Sequence, residues 1–162
     1  MAARRPSNLP DPGSPAPGFY MPFLLGGKSS LAELCANGPL LLAFFKVSCP
    51  VCQLTLPFLE RIHATGSLAV YGVSQNDTEA TLEFNLEFGI SFPILLDSED
   101  LSFPVSNAYG ISSVPTMFLI QSDGMIVRVM EGWRKSEYEW LAALAGTVPY
   151  REGDRVPEWK AG

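Results

Sequence analysis

Two cysteines stand three positions apart in Ser48-Cys49-Pro50-Val51-Cys52, directly after the apolar run Leu40–Phe45. A pair at this spacing either exchanges its thiols for a disulfide or supplies half of a zinc site. Cys35 and His63 are the only other Cys or His residues, their spacing is irregular, and a buried strand rather than a zinc-knuckle turn precedes Cys49. No metal is expected, and the reading is thiol chemistry. Where a strand gives way to a helix, Cys49 falls at the N-cap. Unpaired backbone N–H groups and the positive end of the helix dipole favour a thiolate there by about 0.3–2 kcal/mol. Cys49 is then the nucleophile, and Cys52, nearly one turn further on and facing inward, stays protonated until it resolves the mixed disulfide. Pro50 suits the first helical turn, where its missing N–H would have been unpaired anyway. Lys46 reads as the solvated tip of the strand. No organic cofactor is called for.

The elements that must hold this pair follow from patterning. Leu40–Phe45 is continuously apolar, as a central strand covered on both faces should be. In Gln53–His63, Leu54, Phe58 and Ile62 recur every four residues on one helical face, with Pro57 expected to kink it. Leu68–Val73 reads as a second buried strand. Asn76 with Glu79 is read as a capping signal for a helix ending at Gly89, with Phe84 and Phe88 on its inner face. Pro93–Leu96 is a short strand, Leu101–Tyr109 a helical stretch and Thr116–Ile120 an apolar strand. Ser122-Asp123-Gly124 turns the chain into Met125–Met130, giving an antiparallel pair. Ser136 with Glu139 is read as the start of a last helix through Trp140, Leu141 and Leu144, ending at Gly146. Earlier, Ser30 and Glu33 have capping-box spacing for a short helix that Cys35 ends. Strand–helix alternation closing on a hairpin and a helix predicts an α/β sandwich with a mixed central sheet.

A chain of 162 residues, 47% hydrophobic and 17% charged, fits one packed unit too apolar for disorder. Residues 1–18, rich in Pro, Gly, Ser and Ala, are expected to be an extended or disordered lead-in, with the folded domain over 19–146 and a polar tail over 147–162. The net charge of −6 disfavours nucleic acid as a partner. No apolar run approaches the ~20 residues of a membrane span. Met1–Arg5 begins like a basic leader, but the Pro-rich stretch that follows has no apolar h-region. The expectation is a soluble protein, cytoplasmic as the chain stands, or extracytoplasmic if a leader has been removed.

Phe44-Phe45-Lys46-Val47-Ser48-Cys49-Pro50-Val51-Cys52, then Pro57, then Val114-Pro115-Thr116, resembles the thioredoxin superfamily. The nearest subgroup looks like the TlpA/ResA-like and AhpC/TSA-like thiol-disulfide proteins, over about Phe19 to Gly146. Gly27–Leu34 resembles their N-terminal extension, Tyr109–Ile120 with Asp123-Gly124 their second half, and Asn76–Phe88 their inserted helix. The resemblance implies a thioredoxin-like three-layer α/β/α sandwich with a C-terminal β-hairpin and helix. It also implies a cis-proline at Val114–Pro115 beside the reactive sulfur, and thiol-disulfide oxidoreductase activity. The expected catalytic residues are Cys49 and Cys52, and the expected substrate-binding residues Val114, Pro115, Pro50 and Val51. The expected partners are a protein carrying a disulfide or dithiol and a recycling thiol reductase or oxidase. Three positions depart from the family: Ser48 replaces a common Trp, Ala43 a buried carboxylate, and Thr55 a frequent Glu, so both usual acid–base groups are missing.

Two other functions place different demands on the sequence. A peroxiredoxin-type peroxidase would have Pro seven and Thr or Ser three residues before its Cys. Leu42 and Lys46 occupy those places before Cys49, and Phe45 and Cys49 before Cys52. A redox-inactive peptide-binding module would not need both cysteines. Cys35 reads as a small buried hydrophobe, His63 as a surface or helix-end residue, and Trp133, Trp140 and Trp159 as packing groups.

Overall fold

The computed structural model describes residues 8–162. The leader-like Met1–Arg5 and the first part of the Pro-rich segment lie outside the described residues.

Among the described residues, five strands form the central sheet in the order β5-β4-β3-β6-β7. These are β3 (Leu40–Phe45), β4 (Ala69–Ser74), β5 (Ile94–Leu96), β6 (Thr116–Ile120) and β7 (Ile126–Glu131). β3, β4 and β5 are parallel; β6 runs antiparallel to β3 and to β7. Every residue of β3 is buried, as its unbroken apolar run requires of a strand covered on both faces. Alternate side chains serve opposite layers. Phe45 meets Phe84 at a ring-centroid distance of 5.3 Å, while Phe44 meets Tyr109 at 5.1 Å and Phe118 at 5.8 Å. Helices on both faces complete the three-layer, thioredoxin-like α/β/α sandwich.

Two short strands, β1 (Tyr20–Pro22) and β2 (Lys28–Ser30), form a ribbon ahead of α1 (Leu31–Cys35), whose N-cap Ser30 accepts the Glu33 N–H. α2 (Pro50–Ala64) leaves the end of β3 and continues through Pro57, which cannot supply the backbone bond to the Gln53 carbonyl. Phe58 of α2 packs on Trp133 at 5.0 Å and on Tyr138 at 4.9 Å, joining α2 to β8 (Trp133–Arg134) and α5 (Lys135–Leu144).

Several local expectations are corrected. The cap of α3 (Thr78–Phe88) is Asp77, which accepts from the Ala80 N–H; Asn76 is engaged elsewhere, accepting the Val47 N–H at 2.9 Å. Leu101–Tyr109 is not one helical stretch. A 3-10 turn (Glu99–Leu101) and α4 (Pro104–Ala108) are separated by Ser102 and Phe103, both at positive φ. α5 has Arg134 as its N-cap and no side-chain cap bond, so Ser136 lies inside it, and Leu144 is exposed while Tyr138, Leu141 and Ala142 face the core.

Both flanking segments are held against the folded unit. In residues 8–18 the Gly13 and Ala16 amides donate to the Ile126 and Gly124 carbonyls, the Ser14 carbonyl accepts from Ile126, and the Pro17 carbonyl accepts the Tyr109 hydroxyl. Packing therefore reaches back beyond Phe19. At the other end, Arg61 grips Asp154 with two bonds of 2.7 and 2.9 Å, and the Trp133 indole donates to the Pro157 carbonyl at 2.7 Å. β9 (Trp159–Lys160) then pairs antiparallel with β8.

Candidate active site

Cys49 is the N-cap of α2, in extended backbone, and Pro50 takes the first helical position. The Cys49 Sγ accepts the Cys52 N–H at 3.3 Å, and its thiol donates to the Val114 carbonyl at 3.4 Å. The Val114–Pro115 peptide bond is cis. The structure thus brings together Cys49, Cys52 and Val114, from two segments 65 residues apart in sequence. Pro50 is exposed and Val51 half-buried beside them, while Lys46 is exposed at the end of β3.

Two sets of bonds fix the approach of these segments. Before Cys49, the Val47 N–H donates to Asn76 Oδ1 and the Val47 carbonyl accepts Gln53 Nε2 at 3.0 Å. The loop from β3 to α2 is therefore clamped from both sides. Around Pro115, the Thr116 hydroxyl donates to the Ser113 carbonyl at 2.8 Å, and the Pro115 carbonyl accepts the Gly132 N–H at 2.8 Å. Sequence reading did not find Asn76, Gln53 or Gly132 in these roles, because each acts on a backbone atom that carries no side-chain signal.

The two thiols differ in surroundings. Cys49 is half-buried; Cys52 has no exposed surface. Burial pushes the Cys52 thiol far above its ordinary range, the Lys46 backbone opposes this, and neighbouring Cys49 adds to it. Cys52 is thus held neutral beside a sulfur that faces outward. Ala43 is buried between Gly72 and Met117 in the sheet, and the Thr55 hydroxyl, one turn beyond Cys52, is buried with no hydrogen-bond partner among the described residues. Neither position offers Cys52 a carboxylate. One carboxyl does reach the interior: Glu137 lines the same small cavity as Thr55, and burial raises it above the ordinary carboxylate range.

Cys35 closes α1, 2% exposed, and burial together with Asp123 raises its thiol. His63 lies near the far end of α2 with its ring against Phe92. Trp133 is a packing group, Trp140 is covered by the Arg128 guanidinium at 4.1 Å from its ring centre, and Trp159 is 54% exposed. No cluster of three or more His, Cys, Asp or Glu side chains suited to a metal occurs among the described residues, nor does any helix long and apolar enough to cross a membrane.

Comparison with known proteins points to one family. The AhpC/TSA family profile matches residues 12–129. Thiol-disulfide oxidoreductase ResA of Halalkalibacterium halodurans is 33% identical over 124 residues, covering 74% of this chain and 68% of that protein. ResA of Geobacillus thermodenitrificans is 30% identical over 129 residues, covering 77% and 72%. Among solved structures, a thiol:disulfide interchange protein from Bacteroides sp. superposes with a TM-score of 0.72 over 88% of this chain and 93% of that one, at 22% identity. The chain therefore belongs to the AhpC/TSA family and is a TlpA/ResA-like thiol-disulfide oxidoreductase of the thioredoxin superfamily.

Proposed function

We propose that Cys49 and Cys52 are the redox-active pair and that the chain reduces protein disulfides through a mixed-disulfide intermediate. The observation that carries this reading is the half-buried Cys49 sulfur, set at a helix N-terminus between the Cys52 amide and the Val114 carbonyl. The Cys49 thiolate attacks one sulfur of the substrate disulfide; that S–S bond breaks, and the departing substrate thiolate takes up a proton. Cys52 then gives up its proton and attacks Cys49 Sγ, which forms the Cys49–Cys52 disulfide and releases the second substrate thiol. Two electrons have passed to substrate, so a thiol reductase must supply two to restore the dithiol. Run backward with an oxidase as partner, the same steps oxidise a substrate dithiol.

Backbone groups of Val114 hold an extended substrate strand beside Pro115, while Pro50 and Val51 form the opposite lip. Because Cys52 is buried and neutral, the second step needs a proton acceptor. With Ala43 and Thr55 in the family's acid–base positions, that acceptor is water or the departing thiolate itself.

Insulin reduction by wild type and by Cys52→Ser tests the proposal. Wild type turns over, whereas Cys52→Ser stalls as a Cys49-linked mixed disulfide visible by mass spectrometry under non-reducing conditions. Peroxide consumption that persists at the wild-type rate in Cys52→Ser, with no insulin reduction by either protein, would establish a peroxidase in its place.

A further inference from the structure

The segment after β8 and α5 returns to the site. β9 pairs with β8, Trp133 opposite Lys160 and Arg134 opposite Trp159, and beyond it Ala161 and Gly162 run on toward Val114. The fit there is close. A β-carbon built on Gly162 would collide with the Val114 carbonyl oxygen, lying 2.8 Å from that carbonyl's carbon and 3.3 Å from the Pro115 nitrogen. From the other side, Gly132, at φ 67, has no room for a side chain, because its β-carbon would meet the Lys160 carbonyl and lie 3.1 Å from the Gly162 nitrogen. Glycines at both positions let two backbones approach where neither could carry a side chain. The carbonyl that receives the Cys49 thiol is thus the one against which Gly162 rests. With the segment in place, Val114 is only 8% exposed.

We infer that Trp159–Gly162 occupies the strand-docking surface beside Pro115 as a resident stand-in for substrate, so that an incoming peptide must displace it. The inference rests on the proposed use of Val114 to hold a substrate strand. Its partner is an extended peptide that carries a small residue over the Val114 carbonyl, as this chain does with Gly162.

The hold on the segment suits a displaceable occupant. Trp159 is 54% exposed, so its ring contributes little, and the ladder to β8 is two residues long. The firm anchors lie upstream: the Pro157 carbonyl on the Trp133 indole, the Glu158 carbonyl on the Lys135 N–H at 2.9 Å, and the Arg61–Asp154 fork. Residues 159–162 can lift while residues up to 158 stay in place. A short element with exposed backbone bonds belongs to the low-stability end of a fold. If it fills the groove nine-tenths of the time, the apparent affinity for substrate is about tenfold weaker than the open groove would give.

A chain ending at Glu158 keeps both upstream carbonyl anchors and isolates the effect. It is compared with the full chain and with Gly162→Leu, whose side chain cannot rest on the Val114 carbonyl. The readouts are kcat and KM for insulin reduction and the alkylation rate of Cys49 by a bulky maleimide. KM is expected to fall roughly 3- to 10-fold in both variants with kcat nearly unchanged, and Cys49 alkylation to accelerate by a similar factor. A synthetic peptide spanning 158–162, added to the shortened chain, should raise KM again as a competitive inhibitor. Equal KM and equal alkylation rates in all three proteins, with melting temperatures preserved, would overturn the inference. If alkylation accelerates while none of the proteins reduces insulin, the segment does cover Cys49 and the disulfide-reductase reading is the one that fails.

Discussion

Cys35 and Cys49 both sit at helix ends within the same sheet-and-helix unit, and the proposed function gives them opposite parts. Cys35 is the last residue of α1, sealed in the core, with the negative end of its helix and Asp123 both acting against a thiolate. Cys49 precedes the first residue of α2, faces outward, and its sulfur accepts a backbone N–H from the turn it caps. The side chain is the same in both. Which helix end it occupies, and whether solvent and a partner backbone can reach it, is what the proposed division between a packing group and a nucleophile rests on.

Activity should separate the two cysteines most widely. Cys49→Ser should lose at least ~100-fold in insulin reduction, because a hydroxyl cannot exchange with a disulfide. Cys35→Ser should keep the rate within about twofold while losing about 1–3 kcal/mol of stability for an unpaired buried hydroxyl, measured by urea denaturation. A tenfold loss of activity in Cys35→Ser, with the fold intact, would give Cys35 a part in the chemistry.

Cysteine identity and spacing, the strands β3 and β6 to the residue, and the α2 N-cap were all legible in the sequence, because each rests on side-chain type at a fixed interval. What sequence reading missed is made of backbone. The Pro-rich residues 8–18 bind β7 through amides and carbonyls that any residue carries, and β9 is a two-residue ladder without periodicity. The choice between Asn76 and Asp77 as a cap was undecidable locally, since both are good caps. It is settled by Val47, 29 residues away, which engages Asn76. For the same reason the cysteine pair could be read from the chain, but not the Gly132–Gly162 approach that covers its neighbour.

The buried thiols also make stability depend on pH. Burial raises the Cys52 thiol, and raises Cys35 as well, above the ordinary 9.0. Each group therefore binds its proton more tightly folded than unfolded. The stability this confers is complete below about pH 9 and is lost as pH rises further, because the unfolded chain then releases protons that the folded chain retains. The reduced protein should lose up to about 1.4 kcal/mol per pH unit for each such thiol above pH 9. Cys52→Ala should flatten that slope in denaturation series, and an unchanged slope would show that Cys52 is not held neutral by the fold.

The smallest effect concerns the shared face of α2. The Thr55 hydroxyl, one turn past Cys52, is buried without a hydrogen-bond partner among the described residues, so Thr55→Val removes an unsatisfied group with little change of shape. A gain of about 1 kcal/mol is expected, with insulin reduction unchanged. A fall in rate beyond twofold would mean that the hydroxyl services Cys52 after all.

The four-residue span from Cys49 to Cys52 has a thermodynamic corollary. Closing that loop with a disulfide removes chain entropy worth only about 2 kcal/mol by loop-length scaling, against nearly 5 for a loop of ~100 residues. The first turn of α2 already restricts the same backbone, so little of even that small constraint is new to the folded chain. In the proposed cycle, oxidation and reduction therefore exchange electrons without staking the fold on either state, and the pair can turn over repeatedly while the sheet behind it keeps its register.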